Sequence, residues 1–207
     1  MAETERGTDW RKERKSGMAV IALSIAVSLA LLYGLYRFLP PLSGMEAIGA
    51  RMLVALKCVA AATLFCFVAG VEAVAHERLQ SPAFDPLKGF ETKRLRVNLR
   101  YLQNTLEQLI VFAVGLFGLA AYLTSGAAMR LIPALTVIWI LNRYAFWIGY
   151  HRSAAMRGLG APSMAIGLVV LLYVVARIGG DVAGIAGAVV AVAAYLMVEA
   201  VLFLKTR

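Results

Sequence analysis

The stretch LIPALTVIWILNRYAFWIGYHRSAAMRGLG, residues 131–160, decides the fold. Its first twenty residues, 131–150, carry Arg143 as their one charge. A bilayer core of about 30 Å takes ~20 helical residues to cross, so this block has the length and polarity of a transmembrane helix. It ends in His151, Arg152 and Arg157, interleaved with small residues, before Gly158 and Gly160 interrupt the pattern. A helix that is apolar, then basic, then broken crosses the membrane and stops at the cytoplasmic leaflet.

Working outward, six apolar blocks can be drawn: Met18–Leu39, Met52–Ala75, Leu106–Leu123, Leu131–Tyr150, Ala161–Ile178 and Val182–Phe203. Pro40-Pro41, Ser125-Gly126, Gly158–Pro162 and Gly179-Gly180-Asp181 separate them. The last boundary also fits one kinked helix, which would give five crossings. The composition agrees: 61% hydrophobic and 16% charged residues in 207, against about 25% charged in a soluble domain. Mean hydropathy is +0.75. The fold class is therefore an all-α polytopic transmembrane bundle.

The net charge of +9 is read by position. With the N-terminus inside, sixteen of the 21 Lys and Arg residues fall on cytoplasmic segments, and Arg37, Arg51, Arg130 and Arg177 on outer ends. This positive-inside bias places both termini in the cytoplasm. The charge is topological and implies no nucleic acid. Residues 1–17 form a basic cytoplasmic tail, and 18–40 a first helix too long for a signal-peptide core. Residues 76–101 form the one substantial cytoplasmic loop. Cys58 and Cys66 lie about 12 Å apart along one helix, too far for a disulfide.

Two groups of residues carry potential chemistry, and neither has the spacing of a metal site. In RYLQNTLEQLIVF, Arg100, Asn104 and Glu107 share one helix face. An ordinary helix start, with Asn104 as N-cap and Glu107 at N3, accounts for the same residues. In the second group, Arg143, Tyr150 and Arg157 recur every seven residues and return to nearly one face. A snorkelling basic end with an aromatic belt explains Arg152, Tyr144 and Trp147. Arg143 lies two turns deeper, and a buried guanidinium calls for an anion such as Glu107 or a ligand carboxylate. Together the groups describe a pocket for a small zwitterionic ligand, with apolar surroundings for a lipophilic second substrate. An arginine beside a thiol would favour the thiolate, the reactive nucleophile.

The same residues resemble the MAPEG family, the membrane-associated proteins in eicosanoid and glutathione metabolism. Arg100, Asn104 and Glu107 match the family's R-x-x-x-N-x-x-E opening of its second helix. Arg143 to Tyr150, followed by Arg152-Ser153-Ala154 and Arg157, matches the end of its third helix. GYHRSAAMR is similar to the leukotriene C synthase version.

The resemblance implies a four-helix core over 50–178, flanked by extra helices at 18–40 and 182–204, in a homotrimer binding glutathione between subunits on the cytosolic side. It implies that Arg100, Asn104, Glu107, Arg143 and Tyr150 bind glutathione. Arg157 would stabilise the thiolate for transfer to, or peroxide reduction of, a lipophilic substrate. Phe146, Gln108 and Leu102 stand where family members place polar groups. His76 and Arg78 are both candidates for the basic residue that ends the first core helix. These departures motivate an alternative: a non-catalytic MAPEG scaffold for lipid binding or assembly.

Overall fold

The computed structural model describes residues 2–206, with side chains from Lys12 onward. Arg207 and the side chains of Arg6 and Arg11, part of the basic termini, lie outside the described residues. Five long helical stretches make up the bundle. They are α1 (Ala2–Phe38), α2 (Ile48–Leu79), α3 (Lys93–Tyr122), α4 (Leu131–Arg152) and α5 (Ala161–Lys205).

α5 is not one rod. Straight, its 45 residues would reach about 68 Å, twice the bilayer core. Its backbone leaves helical geometry at Ala183 and at Gly184 (φ 61°, ψ −151°), a region open almost only to glycine. The chain reverses there. A Cβ on Gly179 would lie 2.5 Å from the carbonyl oxygen of Gly187, eight residues on, whereas a continuous helix would separate them by about 12 Å. Two antiparallel limbs, 161–182 and 185–205, result. The six apolar blocks are thus six helices. We call the end of the bundle that carries His151, Arg152 and Arg157 the basic end.

Helices run further than hydropathy shows. α2 continues to Leu79 and α3 begins at Lys93, so the loop expected over 76–101 shrinks to 80–92. Apolar blocks mark the bilayer, but backbone hydrogen bonding carries a helix beyond it until a cap intervenes. Thr92 is that cap: its Oγ1 accepts from Leu95 N at 2.9 Å and donates to Glu77 Oε1 at 2.8 Å. Asn104 therefore lies three turns inside α3, and its reading as an N-cap is excluded. The expected polar tail is likewise helical, as the start of α1.

The core lies between α2, α3 and α4. Phe112 of α3 stacks on Trp139 of α4 with centroids 4.9 Å apart, beside Leu116, Met129 and Ile132. In α2, Thr63–Val68 form a π-helical turn. Such a turn loosens the i→i−4 ladder and frees carbonyls. Phe65 O accepts from Tyr144 Oη at 2.6 Å, and Cys66 O from Tyr101 Oη at 3.1 Å. At the end opposite the basic end, Arg51 donates to the carbonyls of Ala120, Met45 and Glu46. Arg130 donates to Leu39 O at 3.2 Å and lies over the Tyr36 ring. Both arginines satisfy helix-end carbonyls.

The reversal yields a prediction. Gly184→Val should cost about 1–3 kcal/mol and lower the Tm of the detergent-solubilised protein by several degrees. Gly34→Ala, at a helical position with open space around it, should leave the Tm within a degree or two.

Candidate functional site

α3 presents successive turns toward the basic end of α4. Arg100, Gln103, Asn104 and Glu107 fall on one face because steps of three and four residues return to the same side of a helix. Arg100 Nη1 donates to Gln103 Oε1 at 3.3 Å, and Gln103 Nε2 to Glu107 Oε1 at 3.2 Å. Gln103 thus links cation and carboxylate into a chain. Tyr150 comes from the last turns of α4. Arg157 comes from the 3-10 turn Met156–Gly160, which joins α4 to α5.

These elements line an open cavity of about 440 Å³ whose wall includes Arg100, Asn104, Glu107, Tyr150 and Arg157. Five of the six residues singled out from the sequence therefore converge. The Tyr150 hydroxyl and the Arg157 guanidinium have no hydrogen-bond partner among the described residues, so both are available to a ligand.

Arg143, the sixth, lies behind the wall, fully buried. Its Nη1 donates to Asn104 Oδ1 at 3.0 Å and its Nη2 to Thr105 Oγ1 at 2.8 Å. The guanidinium lies 4.6 Å from the Phe146 ring centroid and 5.3 Å from that of Tyr101. Its Nε has no partner. Of the two anions expected, Glu107 and a ligand carboxylate, Glu107 points into the cavity and bonds Gln103. Two aromatic faces and two neutral oxygens receive the buried charge instead.

Asn104 couples this layer to the cavity. Its Oδ1 accepts from Arg143 and also from Gln108 Nε2 at 3.1 Å. Gln108 Oε1 in turn lies 2.6 Å from Ser163 Oγ at the start of α5. Sequence reading missed Gln103 and Ser163, and took Gln108 only as a departure from the family pattern rather than as the link between Asn104 and Ser163. The first had a legible signal, lying three residues from Arg100 and four from Glu107. The role of Ser163 depends on tertiary packing.

His76, one candidate for the missing basic residue, pairs with Glu72 at 3.3 Å. It lines a separate polar cavity of about 320 Å³ with Glu77, Arg94, Asn98 and His151.

Residues 52–180 match the model of the MAPEG family. The chain belongs to the MAPEG family. The six candidate residues all fall inside the matched segment, whereas α1 and the limb 185–205 fall outside it. Transmembrane protein 79 of Bos taurus is 25% identical over 150 residues, covering 72% of this chain and 37% of that protein. Transmembrane protein 79 of Mus musculus is 24% identical over 162 residues, covering 78% and 41%. The chain spans about two fifths of the length of these curated relatives. No solved structure matches it significantly.

A buried cation without a carboxylate is costly, and replacing buried charge with well-packed apolar atoms is often neutral or stabilising. Arg143→Met leaves Asn104 Oδ1 its bond from Gln108. We therefore expect the Tm in detergent to hold or rise by a few degrees, as thermal scans of purified protein would show. A fall of more than about 5 °C would mean that the charge is compensated in the membrane.

Proposed function

We propose that this MAPEG-family chain is a glutathione-dependent membrane enzyme. Glutathione binds in the 440 Å³ cavity, and its thiolate attacks an electrophilic carbon of a lipophilic substrate, whose leaving group departs as the thioether forms. Alternatively, with a second glutathione, it reduces a lipid peroxide to the alcohol and water as glutathione disulfide forms. The observation that carries this reading is the convergence of Arg100, Asn104, Glu107, Tyr150 and Arg157, from α3, α4 and the turn before α5, on one cavity. The charges suit a zwitterionic tripeptide: Arg100 pairs with a carboxylate, Glu107 with the ammonium, and Asn104 with a peptide group. Arg157, unpartnered and nearest the loop, holds the thiol as thiolate. The excess of basic residues at this end supports placing the site on the cytoplasmic side. A homotrimer, the assembly that the family resemblance implies, would close the cavity's open side.

A second reading keeps the cavity but not the chemistry. Phe146 packs its ring against Arg143 where a hydroxyl would otherwise reach the ligand, which favours a binding or assembly scaffold.

Purified full-length protein in nanodiscs distinguishes them. Wild type should bind glutathione with the ultraviolet absorbance of a thiolate and conjugate chlorodinitrobenzene. Arg157→Ala should lose at least tenfold in thiolate population, equivalent to one pKa unit or 1.36 kcal/mol. Glutathione binding by wild type without thiolate absorbance would favour the scaffold. Turnover at the uncatalysed rate with no glutathione binding by either protein would end the enzyme reading.

A further inference from the structure

The loop between α2 and α3 is built to hold apolar side chains outward. Residues 80–92 contain two 3-10 turns, Pro82–Phe84 and Pro86–Lys88. Each turn is capped: Ser81 Oγ accepts from Ala83 N at 3.3 Å, and Asp85 Oδ1 from Leu87 N at 3.0 Å. Gly89 ends the second turn at φ 68°, a left-handed conformation that suits glycine. The far end is tied down as well, because Thr92 bonds Glu77 of α2 while capping α3. Within 80–92 Ala83 alone is buried. Phe84 is 68% exposed, Leu87 95% and Phe90 51%, next to Leu79 at 68%. Four large apolar side chains displayed this way by a fixed loop mark a surface that something else covers.

Charge and height indicate what covers it. Residues 78–96 hold five Lys and Arg against two Asp and Glu, and Asp85, one of the two acids, is committed to its cap. Arg94 pairs with Glu77 at 3.2 Å. Lys88, Lys93 and Arg96 are exposed and have no ion-pair partner among the described residues. Asn98 Oδ1 accepts from Trp147 Nε1 at 2.9 Å and lies 3.0 Å from His151 Nε2, which sets the loop at the basic end of the bundle. Ala75 closes the apolar block of α2, and Leu79, four residues on, stands about 6 Å above it. The headgroup layer is about 5–7 Å deep on each side of the hydrocarbon core. The loop therefore begins at the level of the lipid headgroups.

We propose that loop 80–92 docks on the membrane surface at the basic end. Phe84, Leu87 and Phe90 enter the headgroup layer, and Lys88, Lys93 and Arg96 bind its anionic lipids. Apolar insertion and attraction between bases and anionic headgroups reinforce each other at such an interface. A soluble acidic protein is the poorer fit, since it would have to displace headgroups to reach Leu79 and Phe84. The contact has a structural consequence: the loop runs directly into α3, so lipid held there steadies the start of the helix that carries Arg100 and Glu107. The docking surface is separate from the cavity and does not depend on glutathione.

The test puts the photoreactive amino acid p-benzoylphenylalanine in place of Leu87 in the full-length protein. The protein is reconstituted in vesicles of phosphatidylcholine mixed with phosphatidylserine, and mass spectrometry after irradiation identifies what position 87 touches. The expected product is a lipid adduct in which phosphatidylserine is enriched over its share of the vesicle. Lys88→Gln, Lys93→Gln and Arg96→Gln, made together, should cut the phosphatidylserine adduct about fivefold or more. All three positions are exposed, so the Tm in detergent should hold and a loss of adduct would not report unfolding. A phosphatidylserine adduct undiminished in the triple variant would overturn the proposal. So would lipid adducts that merely follow the vesicle composition, cross-links to a second copy of the chain, or no lipid adduct at all.

Discussion

A guanidinium held inside a membrane bundle without a carboxylate is the constraint on which the rest of this structure depends. Arg143 is fully buried, bonded to Asn104 and Thr105 and flanked by Tyr101 and Phe146. Each of those contacts imposes a condition on another element. Tyr101 is anchored through its hydroxyl to a carbonyl that the π turn of α2 sets free. Asn104 is held in turn by Gln108, which reaches Ser163 of α5. One side chain thus sets which polar groups of α2, α3, α4 and α5 meet at the base of the cavity, a matter of specificity rather than of net stability. The positive charge behind Asn104 also makes that wall favourable for an anion, although Arg143 itself does not reach the space.

Around this base the chain adds two elements outside the MAPEG segment, and they differ. α1 is bolted to the core by Ser24, Ser28 and the close approach at Gly158, and it contributes Ile21 to the cavity. The limb 185–205 returns from the Gly184 reversal with no fully buried side chain. Its Glu199 bonds only Tyr195, one turn away on the same limb. The first added helix therefore lines the cavity, while the last takes no part in it.

Much of this was legible in the sequence, and the rest was hidden for physical reasons. The bundle followed from block length, whereas Gly179-Gly180-Asp181 marked a break that fitted a kink or a turn alike until the backbone at Ala183 and Gly184 was seen. Arg100, Asn104 and Glu107 were found by helical spacing, which reports a shared face faithfully. Spacing does not report which neighbour fills the space opposite. Arg143 was therefore recognised as deep, but Glu107, one of the two anions expected for it, stands elsewhere, and two neutral oxygens and two rings surround the guanidinium. The loop over 76–101 was drawn too long because hydropathy detects the edge of the bilayer, not the end of a helix. The docking of α1 left no signal at all, since Gly17, Ser24 and Ser28 are ordinary residues in any membrane helix until the partner surface is known.

The ligand site proposed for this protein is the cavity bounded by Arg100, Glu107, Tyr150 and Arg157. A cryo-electron microscopy map of the full-length protein in nanodiscs with saturating glutathione tests it most directly. The account predicts density the size of a tripeptide within hydrogen-bond reach of Asn104 and Arg157, walled on one side by Ile21. An empty cavity at saturation, or the same density beside Glu72, His76 and His151, would contradict it.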